Sequence, residues 1–281
     1  MPTAGLSLVG FMDRDPAVAH LRTACVWPND DDPTLEAEWQ TASNNIGFPT
    51  PNAGQPDIQP IPPAKIGHIQ TLMARPWFQR NAANWFANST FQMVEIEPLL
   101  AYQFVVDAER SGHHCSSVAQ PPSLDELFDL CLPLDLPVEK WDWAPGAQSL
   151  IIRSRSLNLR QLAQGMFPAE DGTLAGIYFG VAPALAHVVR LSGRCYLHNG
   201  FHRAYGARMA GATHIPCVLR DVADAAQAAI QPPATFPLDL LESPNPPTVA
   251  HFTQGRAHPV NLRATTRVLH LSWADYVLAT E

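Results

Sequence analysis

Charge is scarce in this chain: 16% of its 281 residues are Asp, Glu, Lys or Arg, against about a quarter in ordinary soluble domains. Positive charge is scarcer still, with 18 Lys and Arg facing 26 Asp and Glu, a formal net charge of −8. Proteins that coat nucleic acid draw affinity from neutralised phosphates. An acidic balance therefore argues against a general nucleic-acid coat, while leaving room for a local basic groove. Cysteine is sparse too: five, at positions 25, 115, 131, 195 and 217, with no CxxC pair. An odd count at wide spacing argues against a disulfide framework and against a structural zinc site. The opening "MPTAGLSLVGFMDRDP" has no basic region ahead of its short apolar stretch. Neither a signal peptide nor a membrane span is expected, and a reducing cytoplasm is the expected setting.

What is present begins with apolar residues, 46% of the chain, enough to bury a core. The 27 prolines are clustered. "PTPNAGQPDIQPIPP", residues 49–63, reads as an extended linker or a strap laid over a neighbour, and it is a candidate arm for a protein partner. Ahead of it, Asp32 and Pro33 suit the cap and first position of a short helix, and the Asp30–Asp32 run reads as a solvated cap. Pro76 suits a helix start, and Trp77, Phe78, Trp85 and Phe86 recur near one helical face as core. Met93, Val94 and Ile96 suggest a strand stopped by Pro98. Ser123 and Glu126 make a capping box. "QSLIIRSRSLNLRQLAQG" starts as a strand and turns helical, and "TLAGIYFGV" is another strand. A weak helix is expected at "DAAQAAIQ", and a strand followed by a helical turn at "RVLHLSWADYVL".

The densest signal is "AHVVRLSGRCYLHNGFHRAYGARMAGATHIPCVLRD". A hairpin turns at Ser192-Gly193. Asn199-Gly200 then leads from a strand into an alanine-rich helix closed by Gly211, and "HIPCVLRDV" is a buried strand. Such a helix start offers unsatisfied N–H groups and partial positive charge; Gly200 allows close approach, and His202 and Arg203 add donors. That is a competent anion site. The bland alternative is that Asn199 caps the helix while His202 and Arg203 are solvated. Strands and helices are mixed and the hairpin is antiparallel, so the fold class is α+β: a small mixed sheet with a hairpin, flanked by helices.

This stretch resembles the ParB/sulfiredoxin-like superfamily, whose members have a strand, a DGxHR- or GERR-like turn, an alanine-rich helix, a glycine and an Ile-Pro-Val strand. The good match covers roughly residues 186–221; "VEIEPLLAYQ" at 94–103 is similar to the family's opening strand. The resemblance implies a division into an N-terminal extension with the proline arm (1–64), a core (65–231) and a C-terminal extension packing on it (232–281). It implies a nucleotide or other phosphate-bearing small molecule held by Asn199, Gly200, Phe201, His202 and Arg203, with Mg²⁺ a candidate companion of the nucleotide. NTP hydrolysis or phosphoryl transfer would also need a carboxylate. Glu95, Glu97, Asp107 and Glu109 are the candidates, with Glu97 chosen by resemblance to kinase members and His202 beside it as the second catalytic group.

The chain departs from the family at two positions. Phe201 stands where sulfiredoxin has its cysteine, which removes that thiol chemistry, and Cys195 reads as core. Asn199 stands where many members have an acid. No recognition helix follows, which argues against a partition clamp. A non-catalytic interaction module and a nuclease or nucleic-acid-processing enzyme remain as alternatives. Elsewhere, His113, His114 and Cys115 match no zinc spacing but, as a loop, could face the site; His198 could line the same cleft. Arg153–Ser156 with Arg160 reads as an exposed strand face, and Trp141 and Trp143 as core cover.

Overall fold

The computed structural model describes residues 2–79, 88–135, 141–146, 148–154, 159–169, 172–181 and 184–274. In chain order the elements are β1 (Thr3–Ser7), α1 (Arg14–Ala24), α2 (Asp32–Asn44), β2 (Ile58–Pro60), α3 (Ile66–Ala74), β3 (Ser89–Glu95), β4 (Val105–Asp107), α4 (Ala108–His114) and α5 (Leu124–Cys131). Then come β5 (Trp141–Pro145), β6 (Ser149–Ser154), β7 (Leu159–Ala169), β8 (Gly172–Val181), β9 (His187–Leu191), β10 (Arg194–Asn199) and α6 (Phe201–Met209). The chain continues through β11 (His214–Asp221), α7 (Leu238–Leu241), α8 (Val249–Thr253), β12 (His258–Leu262) and β13 (Arg267–Ser272). The class is α+β.

Two compact units form: Met1–Leu134 with Leu185–Arg263, and Asp135–Ala184 with Ala264–Glu281. These boundaries differ from the three-part division expected at 64 and 231. The reason is pairing across the chain: β1 lies between β12 and β4 in one antiparallel sheet, so the N-terminal extension and residues 232–263 are woven into the first unit, while the rest of the C-terminal extension belongs to the second.

The first unit's larger sheet has the order β10-β9-β11-β3-β2, with only the β9–β11 pair parallel. Its two faces follow the period of two along a strand. Ile215, Cys217 and Leu219 of β11 join Ala204 and Ala207 of α6 in one cluster. Val218 joins Leu72 of α3 and Phe128 and Leu132 around α5 in another, with Trp77 and Phe78. Trp85 and Phe86 lie outside the described residues. The proline segment is a strap on this unit. Gly54 N–H donates to Pro98 O at 2.7 Å, Cys195 N–H donates to Gly54 O at 2.8 Å, and β2 adds an edge strand.

Local signals explain most starts and stops. Ser123 and Glu126 form the capping box. Ser192 and Gly193 both take positive φ, as a tight two-residue hairpin needs. The cap of α2 is Asp31 rather than Asp32, its carboxylate accepting from Thr34 N–H at 2.9 Å.

Three expected elements differ. Residues 108–114 of the His-His-Cys region are helix, not loop, because Asp107 caps them by accepting from Arg110 N–H at 2.8 Å. "LRQLAQ", residues 159–164, is strand β7, not helix; pairing with β8 overrides an ambiguous local pattern. "DAAQAAIQ" makes one turn only, since Ala229 takes φ 57° and two prolines follow.

The second unit holds the antiparallel sheet β13-β6-β5 and the hairpin β7-β8. Arg153 is exposed on β6 and Ser154 buried, whereas residues 155–156 and the side chains of Trp141, Trp143 and Arg160 lie outside the described set. The helical turn expected after β13 also falls outside it. Among the described residues, no helix is long and apolar enough to cross a membrane.

Candidate functional site at the start of α6

The chain enters α6 through a forced turn. The β9–β10 register shifts between Leu197 and Asn199, and Gly200 follows at φ 99° in the left-handed region. A side chain on Gly200 would be strained there, and its Cβ would lie 3.2 Å from Ala186 Cα and 3.4 Å from Arg203 Nη2. Gly200 is also the N-cap, so no side chain caps α6, and Asn199 does not fill the capping role the bland reading assigned to it. The ladder opens with Ala204 N–H donating to Gly200 O at 2.8 Å. The N–H groups of Phe201, His202 and Arg203 therefore stand ahead of it, with no acceptor among the described residues. Phe201 is buried and meets the Tyr102 ring edge-on at 6.2 Å, which anchors the first turn.

Arg203 is the unusual group. It is 7% exposed. Among the described residues its guanidinium has no carboxylate partner, and donates only to Leu130 O, at 3.4 Å. Burial lowers its affinity for the proton, and the charge of Arg110 adds to that lowering. A buried guanidinium satisfied by one long hydrogen bond is costly, since such groups are ordinarily paired. The bland alternative of a solvated Arg203 does not hold: the side chain is buried, with Nη2 close to where a Cβ on Gly200 would lie.

Helix α4 supplies the rest of the cluster. It packs closely on α6 at Gly206, where an added Cβ would collide with Cys115 Sγ and sit 3.2 Å from Ser111 O. That approach brings Arg110 and His114 to His202 and Arg203. His202 is half-buried; burial first, then Arg110, hold it down to about 4, with His114 and Arg203 adding to the effect and Asp107 opposing it. His114 is exposed on α4, and partial desolvation, then Arg110, Arg203 and His113, hold it down to about 4. Asp107 is the one carboxylate whose charge reaches His202. It is already engaged, accepting from Thr3 Oγ1 at 2.9 Å and from Arg110 N–H. Four basic groups and one occupied carboxylate suit an anion. They do not suit a magnesium ion, and no group of three His, Cys, Asp or Glu that could hold a metal occurs among the described residues.

The other expected site residues divide. Asn199, Gly200, Phe201, His202 and Arg203 are together by chain order. Glu97 is not with them: it pairs with Arg208 Nε at 3.0 Å and accepts from Thr253 Oγ1 at 3.3 Å. Arg208 lies on the last turn of α6, about 10 Å along the axis from Phe201 at the usual rise per residue. Glu95 accepts from Asp57 N–H at the end of β3, and Glu109 from Ala4 N–H. His198 lies beside the turn, its Nδ1 2.5 Å from Tyr102 Oη and its ring 4.8 Å from that of His187. Burial holds His187 down to about 3. Cys195 is core as expected, with its thiol pushed up to about 11 by burial.

Sequence reasoning missed Arg110 and Tyr102. No local signal marks either, because both reach the turn through long-range packing. His114 was noticed for its neighbours rather than for its position. No family model matches the chain, and neither a curated protein nor a solved structure is significantly similar to it.

Proposed function

We propose that this protein binds a phosphate-bearing small molecule, a nucleotide by its resemblance to ParB/sulfiredoxin-like domains, at the start of α6. The observation that carries the reading is Arg203, a buried guanidinium with no carboxylate partner among the described residues, at a helix start whose first N–H groups have no acceptor among them. A phosphate oxygen would receive the backbone N–H groups of Phe201, His202 and Arg203, and charge-assisted bonds from Arg203 and Arg110. Gly200 keeps the approach free of a side chain. The order of hairpin, left-handed glycine, alanine-rich helix and buried strand supports the family resemblance.

Binding without catalysis is the reading favoured at this site, because Glu97 is committed to Arg208 at the other end of α6. A non-catalytic module that keeps the ligand site accommodates that observation. Hydrolysis or phosphoryl transfer would require a base other than Glu97, and His202, neutral at pH 7, is the group placed for it.

Titration calorimetry with ATP, ADP, CTP and GTP, with and without magnesium, tests the proposal. Arg203→Met is the informative variant. It keeps volume and removes an uncompensated buried charge, so the variant should lose binding yet be more stable by about 1–2 kcal/mol. Nucleotide affinity unchanged in Arg203→Met would remove the reading.

A further inference from the structure

We propose that β8 is an assembly edge, through which two copies of this chain pair, β8 against β8, into one four-stranded sheet. The inference concerns the second unit and stands independently of the site at α6. The β7–β8 hairpin is long, with 11 and 10 residues in its strands, and among the described residues it is a sheet by itself. A lone two-stranded hairpin is marginal in water, whereas three or more strands make a stable sheet. Along each strand, every second residue directs its N–H and C=O away from the partner strand, which leaves an open outer edge. Proteins ordinarily blunt such an edge with charge, proline or a bulge. β7 has all three: Arg160, Pro168 and a register shift between Gln161 and Ala163. β8, "GTLAGIYFGV", has neither a charged residue nor a proline.

The occupant that fits this edge is a second β8. Two neighbouring strands related by a two-fold axis normal to the sheet run antiparallel, and a two-fold contact is self-complementary, so one open edge satisfies its own copy. Charge points the same way. The chain carries a net charge of −8, so two copies repel in general, yet a β8–β8 contact brings no like charges together. By chain order the acidic pair Glu170-Asp171 joins β7 to β8 at one end of the hairpin, and Arg160 stands opposite Gly180 towards the other. Antiparallel pairing sets the closed end of each hairpin beside the open end of its copy, acid towards base at both ends. The midpoint of β8 falls at Gly176 and Ile177. Ile177 is 49% exposed and Met166 67%. They share a face, because Ile177 is opposite Gln164, two residues from Met166. A two-fold axis normal to the sheet preserves faces. Pairing about the midpoint therefore makes the two Ile177 side chains same-face neighbours and joins the apolar faces of two hairpins into one.

Sedimentation equilibrium of the full chain over a range of concentrations tests the proposal, with Ile177→Lys, Ile177→Glu and an equimolar mixture of the two variants. The wild type should dimerise. Each variant alone should dimerise about tenfold more weakly, because like charges become cross-strand neighbours, and the mixture should recover the dimer because the charges are then opposite. Ile177 is half exposed in the single chain, so the circular dichroism of both variants should match the wild type. A wild type that stays monomeric throughout overturns the proposal. A dimer that both variants retain at wild-type strength also overturns it, since the contact then lies on another surface. So does a mixture that associates no better than either variant alone. If the variants fail to fold, hydrogen exchange on the wild type decides. Amides of β8 that are protected in the dimer and lose that protection on dilution support the pairing, and β8 exchange that ignores dilution refutes it.

Discussion

Gly206→Ala is the sharpest test of how α4 and α6 are assembled. Gly206 has an ordinary helical φ, so the backbone accepts alanine, and in an open helix the change would stabilise by about 0.5–1 kcal/mol. Here the added Cβ would overlap Cys115 Sγ and press on Ser111 O at 3.2 Å. Overpacking of this kind costs about 1–3 kcal/mol, so the net expectation is destabilisation by about 1–2 kcal/mol. Cys115→Ala removes the sulfur that is struck first, at a cost below about 1 kcal/mol for a half-buried thiol. In that background Gly206→Ala should be close to neutral or stabilising. The double-mutant cycle therefore carries a coupling of about 1–2 kcal/mol, where independent sites add to within about 0.5 kcal/mol. Urea denaturation of the four proteins measures it, and Gly206→Ala alone should lower the midpoint by about 0.5–1 M. Additive costs would refute the close helix approach. The same substitution should weaken binding of sulfate, a phosphate mimic, because pushing α4 outward carries Arg110 and His114 away from the turn.

Acid should weaken the fold. His251 and His187 are buried and held by burial down to about 4 and about 3, so both stay neutral in the folded chain well below pH 6. Unfolded, each takes a proton near 6.5, so the unfolded state binds more protons and stability falls as pH drops from 6.5 towards those values. The loss is about 1.4 kcal/mol per pH unit for each group, and His251→Asn should remove one share of the slope in urea titrations at stepped pH. Gly200→Ala should destabilise by about 1–2 kcal/mol through its left-handed φ and displace Arg203 Nη2, with sulfate affinity lost in calorimetry. Ser123→Ala, which breaks the capping box of α5, should cost about 1 kcal/mol in the same urea assay without touching sulfate binding. Glu97→Gln should leave sulfate affinity unchanged, since its carboxylate serves Arg208; a tenfold loss would contradict its placement.

The residues read correctly in advance are those whose chemistry is local. Ser123 with Glu126, the Ser192-Gly193 turn and the glycine that closes α6 depend on neighbours within a few positions. The errors have equally specific origins. Asp107 caps a helix that its own sequence, "AERSGHH", hardly advertises. β7 is a strand because β8 pairs with it along its length. Glu97 seemed placed for catalysis only while the partner of Arg208 was unknown.

Sequence alone was enough to establish the α+β class and a strand–glycine–helix turn leading into an alanine-rich helix. Those conclusions rest on composition, period and backbone preference, which act over a few residues. The burial of Arg203 with no carboxylate partner among the described residues, the arrival of Arg110 and His114 from α4, and the removal of Glu97 to the far end of α6 came from three-dimensional packing. They depend on how closely two helices distant in the chain approach, and that distance is set at Gly206, where the absence of a side chain has meaning only once Cys115 lies against it.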